Sequence, residues 1–142
     1  MAATDGSANK TAGTMGAGAV YYLPTALQQQ GQPTQVTALI EGTVSSIRPE
    51  AAALQLLLQK LPTEADAVVF TDSLSLMSSL VTYSSRAGRR RALSSPHAPT
   101  LTRIAELLAN RQGHIRLVKV KSHMGMPLNA EADKLADVGM AG

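Results

Sequence analysis

Short β-type runs alternate with helical patterns along this chain, and that alternation limits the fold more than any other feature. Four runs rich in apolar, β-branched or aromatic residues predict strands: GAVYYL (18–23), QVTALIEG (35–42), AVVF (67–70) and IRLVKV (115–120). Helical periodicity predicts helices over 46–61, 73–83, 100–112 and 129–138. A further short strand is expected just before Asp5, and residues 84–99 read as one irregular stretch. This order predicts an α/β sheet layered with helices.

The pattern over 46–61 is the clearest helix signal, and it includes an acid on its apolar face. Leu54, Leu57 and Leu61 repeat at helical spacing, and Pro49 falls in the first turn, where its missing N–H matters little. Glu50 lies on the same stripe as the leucines, so its carboxylate is predicted to face the sheet. An unpaired buried charge is costly, and Glu50 therefore needs a compensating partner.

Three more acids stand near the ends of predicted elements, and each also has an ordinary interpretation. Asp5 ends the expected first strand and begins DGS, and an Asp-Gly pair is by itself a turn signal. Asp72 follows AVVFT and opens a helix, where an Asp or Ser caps the first turn. Asp133 is flanked by alanines and Leu135, and an exposed helix acid would also fit that position.

The joint placement of the four acids favours a metal site. Asp5 and Asp72 end strands, Glu50 and Asp133 lie on helices that pack on the same sheet, and open α/β sheets bind ligands at the carboxyl ends of their strands. Four converging carboxylates would repel one another unless cations intervened. Oxygen ligands suit Mg²⁺ or Mn²⁺, and two such ions about 3.5–4 Å apart suit in-line phosphodiester displacement.

Length and composition set wider limits. The 142 residues predict a single domain, 1–142, and the absence of cysteine excludes disulfides. The start MAATDGS has no signal-peptide character and no apolar run is long enough to cross a membrane, so a soluble intracellular protein is expected, with nucleus and cytoplasm not distinguished. The net charge of +3 includes four arginines within residues 86–91, which suit either a polyanionic partner or an ordinary solvated loop.

Motifs over almost the whole chain resemble the type 1 ribonuclease H family. They are TDGS, RPEAAAL, VFTDSLSLMSSL and KSHMGMPLNAEADKLAD, with the acids in the order Asp, Glu, Asp, Asp and a histidine ahead of the last. The resemblance implies a five-stranded mixed sheet with helices on both faces. It also implies an endoribonuclease that hydrolyses the RNA strand of RNA–DNA hybrids and leaves 5′-phosphate ends.

The resemblance assigns roles to particular residues. It implies that two Mg²⁺ ions, for which Mn²⁺ can substitute, are bound by Asp5, Glu50, Asp72 and Asp133. It implies that His123, on the loop SHMGMP, helps to move protons and release product, as a group that titrates near neutral pH can do. The residues it brings near the hybrid are Asn9, Ser45, Ser46, Arg89 and Arg90.

The chain also departs from many members of that family. It has no tryptophan for the DNA-strand groove, and Leu74 stands where many members carry an amide. The expected opening strand is short, and the phrasing of TDSLSLM and SHMGMPLNAEADKLA is most similar to ribonuclease H domains of retrotransposons. We therefore expect a retroelement domain, tethered to a reverse transcriptase in its parent protein and monomeric in isolation; a stand-alone cellular enzyme remains an alternative.

Other classes of protein fit the same residues less well. A catalytically silent nucleic-acid-binding relative would be expected to lose at least one ligand, and all four carboxylates and His123 are present. An integrase, transposase or junction resolvase would place its last acids differently. A proofreading exonuclease would carry a second acid where this chain has Ser7. A nonenzymatic module leaves the inward-facing Glu50 unexplained.

Overall fold

The computed structural model describes residues 2–9, 11–21, 34–41, 47–84, 98–120 and 127–140, and the side chains of 82–84, 98, 127–131 and 133 lie outside that description. The strands are β1 (Ala2–Asn9), β2 (Thr14–Tyr21), β3 (Thr34–Ile40), β4 (Ala67–Thr71) and β5 (Ile115–Lys119). The helices are α1 (Ile47–Lys60), α2 (Leu74–Ser84), α3 (Ala98–Ala109) and α4 (Pro127–Met140). None of these helices is long and apolar enough to cross a membrane.

The five strands form one mixed sheet in the order β3-β2-β1-β4-β5. The pairs β1–β2 and β2–β3 are antiparallel, whereas β1–β4 and β4–β5 are parallel. Strand β1 therefore lies at the centre, with an antiparallel half of the sheet on one side and a parallel half on the other. The expected mixed five-stranded sheet is confirmed.

Helices cover both faces of the sheet, as expected. On one face, α1 packs against β1, β2 and β3, and the main apolar core joins Leu54 and Leu57 of α1 with Leu76 of α2 and Ile104 of α3. On the other face, α4 packs against β1, β2 and β3, with Ala132 in a smaller cluster beside Ala3 and Val20. Alternate residues of β1 thus face α1 and α4 in turn.

The first strand is longer than the sequence predicted, and the expected strand end at Asp5 is wrong. Strand β1 continues to Asn9, and its ladder with β2 pairs Asp5 with Gly18 and Asn9 with Thr14. The Asp5-Gly6 pair therefore lies within a strand and is not a turn. The chain reverses beyond Asn9, where Gly13 has a φ of 70° and its N–H donates to the Asn9 carbonyl at 2.8 Å.

Strand β2 also begins earlier than predicted, at Thr14 instead of Gly18. The glycines in this strand allow close packing of α4. A Cβ at Gly18 would stand 2.5 Å from the Ala132 carbonyl oxygen of α4, and one at Gly16 would meet the Ala136 carbonyl oxygen. Glycine is normally unfavourable inside a strand, and strand propensity therefore predicted a start that is too late. The bare backbone lets α4 settle directly on the sheet.

The remaining predicted elements are present, with ends that shift by three residues at most. The largest shift among the helices is at α3, which ends at Ala109 where the sequence predicted Gln112. The expected irregular stretch falls mostly on residues 85–97, which lie outside the described residues.

Candidate metal centre

The centre lies where the ladder between β1 and β4 ends. Those two strands pair at Ala2 with Val69 and at Ala3 with Phe70, and their pairing stops there. Asp5 lies two residues after Ala3, and Asp72 lies two residues after Phe70. The parting of two parallel strands thus places both carboxylates at the carboxyl end of the parallel half of the sheet, as expected for a ligand site in an open α/β sheet.

Helix α1 brings the third carboxylate to the same place. The helix begins at Ile47, and Pro49 and Glu50 are buried in its first turn. Gly6 of β1 lets that turn approach closely, since a Cβ there would stand 2.6 Å from the Glu50 backbone nitrogen. The predicted inward direction of Glu50 is confirmed, because the residue is only 8 % exposed.

Carboxylate oxygens of Asp5, Glu50 and Asp72 lie within 4.8 Å of one another. This crowding changes the acidity of Glu50. Burial raises the pKa of Glu50 to about 9, with further increases from the Asp5 charge, a hydrogen bond to Asp5 and the Asp72 charge; the Gly6 N–H acts in the opposite direction. Without a cation, Glu50 is therefore protonated at neutral pH beside two other acids.

The donor set fits a divalent metal ion. Glu50 Oε2 is buried and has no hydrogen-bond partner among the described residues. Such a buried oxygen requires an explanation, and a coordinated cation is one. The cluster offers only carboxylate oxygens, and such ligands bind hard cations such as Mg²⁺ in preference to softer metal ions. Asp5, Glu50 and Asp72 can therefore hold a divalent ion.

The alternative role of Asp72 as a helix cap is taken by its neighbour. Ser73 Oγ accepts the backbone N–H of Leu76 at 3.1 Å, as an N-cap side chain does at the start of α2. Thr71 Oγ1 in turn accepts the Ser73 N–H at 3.1 Å. The Asp72 carboxylate joins the cluster instead.

The backbone of α4 brings position 133 to the same level of the sheet as Asp5. Ala132 and Ala136 stand over Gly18, which pairs with Asp5, and the next turn of the helix stands over Gly16, which pairs with Ser7. Helix α4 therefore runs in the same direction as β1. The side chain of Asp133 lies outside the described residues, and its role as a ligand stays a prediction.

A contact that the sequence reading missed links α4 to β1 beside the centre. Ser7 Oγ donates to Asp137 Oδ1 at 2.7 Å. Asp137 stands four residues after Asp133, and Ser7 stands two residues after Asp5. The i, i+4 spacing of the two helical acids is a signal that places them on one helix face, although the sequence alone does not give the partner.

The predicted substrate-contact residues remain untested. Asn9 is exposed at the end of β1, and its side-chain oxygen accepts the Ala12 N–H at 3.0 Å. The other predicted functional residues lie outside the described residues: Ser45, Ser46, Arg89, Arg90 and His123.

Comparison with known proteins identifies a family. A family model described as RNase H matches residues 1–141. No curated protein matches the chain.

Proposed function

Since this chain belongs to the ribonuclease H family, we propose that it is an endoribonuclease that hydrolyses the RNA strand of RNA–DNA hybrids. The observation that carries the proposal is the convergence of Asp5, Glu50 and Asp72 within 4.8 Å. Asp5 within β1, Asp72 just after β4 and Glu50 on α1 bring three carboxyl groups together, and this crowding is unfavourable without a cation, as the raised pKa of Glu50 indicates.

The proposed cofactor is a pair of Mg²⁺ ions, for which Mn²⁺ can substitute. Asp5, Glu50 and Asp72 would hold them together with Asp133 from α4. Bound there, the ions would activate the attacking water and stabilise the charge on the departing 3′ oxygen. Cleavage in that sense leaves a 5′-phosphate on one product.

The protein residues then have separate tasks. The carboxylates of the centre would fix the position of the RNA phosphate relative to the attacking water. Such proximity and alignment lower the activation barrier of hydrolysis. His123 is proposed to accept and release protons near the centre and to help product leave, because an imidazole can both take up and give back a proton.

Hybrid recognition is proposed to depend on shape more than on sequence. Asn9, Ser45 and Ser46 would contact the RNA strand, where the 2′-hydroxyl distinguishes RNA from DNA. Arg89 and Arg90 would contact phosphates, which adds affinity that falls with salt. The net charge of +3 agrees with a polyanionic substrate.

The proposed setting is a domain of a retroelement polyprotein, tethered to a reverse transcriptase, intracellular, and monomeric when isolated. The support for it is the resemblance of residues 71–77 and 122–136 to retrotransposon ribonuclease H domains. A stand-alone cellular enzyme would carry the same centre.

The test is cleavage of an end-labelled RNA–DNA hybrid in Mg²⁺, beside single-stranded RNA, duplex RNA and duplex DNA. We expect cutting of the hybrid only, with a 5′-phosphate on the downstream product, and no cutting by Asp5→Asn. Asp5→Asn keeps an oxygen that can accept the Gly6 N–H, which Asp5 Oδ1 accepts at 2.9 Å, so the strand should fold normally. Binding of hybrid without cleavage in both Mg²⁺ and Mn²⁺ would instead identify a silent nucleic-acid-binding relative.

A further inference from the structure

We infer that Ser7 and Asp137 form a positioning pair that sets where position 133 of α4 stands relative to Asp5. The inference rests on the proposed function, because it assigns the pair to the metal centre of that reaction. Neither residue is a proposed ligand. Each would act through the helix or strand that carries one.

The contact itself is a directed hydrogen bond between distant parts of the chain. Ser7 Oγ lies 2.7 Å from Asp137 Oδ1, and it also lies 3.7 Å from Met140 Sδ, a much weaker acceptor. A hydroxyl that donates to a carboxylate forms a charge-assisted bond, which is stronger than a bond between neutral groups. The bond joins β1 to the last part of α4.

The spacing along the two elements lets this bond determine the level of position 133 relative to Asp5. Asp5 and Ser7 lie two residues apart on the face of β1 that contacts α4, a separation of about 7 Å. Positions 133 and 137 lie one turn apart on α4, a separation of about 6 Å along the axis. Because α4 runs in the direction of β1, a bond that fixes Asp137 at Ser7 also fixes position 133 at the level of Asp5.

The apolar packing beneath α4 is less specific in direction than a hydrogen bond. Gly16 and Gly18 set how closely the helix approaches β2, and Ala132 packs beside Ala3 and Val20. Directed hydrogen bonds add a defined position along the helix. A second one comes from Thr37 of β3, whose hydroxyl donates to the Leu135 carbonyl on the side of α4 away from β1. Ser7 supplies the bond on the side of the centre.

The pair therefore predicts a specific defect in metal use. If the bond is lost, the part of α4 that carries position 133 is held less well, and metal affinity should fall. Partners that orient metal ligands typically contribute about 10–100-fold to affinity or activity, and we expect the low end of that range here, about 10-fold. Hybrid binding, which depends on other surfaces, should be unchanged.

The experiment compares Ser7→Ala, Asp137→Ala, the double variant and the conservative variants Ser7→Thr and Asp137→Asn. Binding of Mn²⁺ is measured by calorimetry, and the Mg²⁺ dependence of kcat and the KM for hybrid are measured alongside. We expect each alanine variant to need about 10-fold more metal at an unchanged KM, and the double variant to be no worse than either single one. Ser7→Thr and Asp137→Asn keep a donor and an acceptor, so they should recover most of the affinity.

Two controls separate positioning from general loosening. Thr37→Val removes the bond on the β3 side, which lies away from the centre, and should lower the melting temperature while changing metal binding less than Ser7→Ala does. Glu106→Ala removes an exposed salt bridge with Arg103, 3.3 Å long, on α3, and should change neither. Metal binding like that of the wild type in Ser7→Ala, or an equal loss in Thr37→Val, would overturn the inference.

The proposed function and the positioning pair fail in different ways. If the wild-type protein binds Mn²⁺ but does not cut hybrid, the proposed reaction is wrong, and the calorimetry still decides the role of the pair. If the wild type cuts hybrid and the alanine variants use metal as it does, the reaction stands and the pair has no positioning role.

Discussion

The two ends of β4 each carry an aspartate, and the two side chains have opposite surroundings. Asp66 precedes the strand, is exposed, and accepts the backbone N–H of His114 at 2.7 Å with its Oδ1. Asp72 follows the strand, is half-buried, and shares a 4.8 Å cluster with Asp5 and Glu50. A strand-end acid thus becomes part of a candidate metal centre only where other elements bring further acids. At the Asp66 end, a backbone donor satisfies the carboxylate instead.

The largest expected effect comes from making the same change at both ends. Asp72→Asn should lower hybrid cleavage roughly 10³-fold, about 4 kcal/mol in the barrier, because a neutral amide is a poor ligand for a hard cation. Asp66→Asn should change cleavage less than about 2-fold, since the amide oxygen still accepts the His114 N–H. Initial rates at saturating Mg²⁺ measure both. Equal losses in the two variants would contradict a functional difference between the ends.

A second matched pair tests the backbone around each end. Gly6→Ala would place a Cβ 2.6 Å from the Glu50 nitrogen and the Pro49 carbonyl carbon, and Gly113→Ala would place one against the Ala65 carbonyl oxygen. Both changes should lower the free energy of unfolding by about 1–3 kcal/mol, because backbone must move in each case.

Only Gly6→Ala should also raise the Mg²⁺ concentration for half-maximal cleavage, because it displaces the turn of α1 that carries Glu50. Chemical denaturation gives the stability change, and a metal titration gives the second quantity. A raised metal requirement in Gly113→Ala would show that stability alone controls metal use.

The smallest expected effect concerns pH in the absence of metal. The folded protein keeps a proton on Glu50 up to a pKa of about 9, whereas the unfolded chain loses it near the ordinary value of 4.5. The folded state thus binds more protons between these values, so the contribution of Glu50 to the stability of the metal-free protein is fully present below pH 4.5 and is lost as pH rises toward 9.

Glu50→Gln removes this titration. The free energy of unfolding of the variant should exceed that of the metal-free wild type by roughly 1–2 kcal/mol at pH 8, and by less at pH 5. Mg²⁺ competes with the proton for Glu50, so it should restore the stability of the wild type at pH 8 and leave the stability of the variant nearly unchanged. Urea denaturation at both pH values with and without Mg²⁺ measures this. Glu64→Gln, an exposed acid near Asp66, is the control and should show no such trend. A variant that is less stable than the wild type at pH 8 without metal would contradict the prediction.

Periodicity gave the parts of the fold that repeat regularly. The spacing of Glu50 with Leu54 and Leu57 predicted a buried carboxylate, and Glu50 is buried. The order of strands and helices predicted the layered sheet, and the resemblance supplied its five-stranded mixed form. Both succeed because the direction of a side chain on a regular element follows from sequence spacing alone.

The errors arise where tertiary packing overrides local preference. Asp5 and Gly6 form a turn in most contexts, but here β2 pairs with them and α1 lies over Gly6. The capping role that Asp72 could have had belongs to Ser73, a choice between neighbours that local preference does not decide. The bond between Ser7 and Asp137 spans 130 residues, and no short-range pattern specifies it.

The glycines beneath α4 have a consequence for mutational scanning of this protein. Gly16 and Gly18 have no chemical group to offer, yet any side chain at either would meet the backbone of α4. A library scored by activity would therefore rank them beside the carboxylates as positions that accept no replacement. Intolerance at a residue without a side chain measures how close two elements lie, and only a second assay, such as the amount of folded protein, would tell such positions from those that take part in the chemistry.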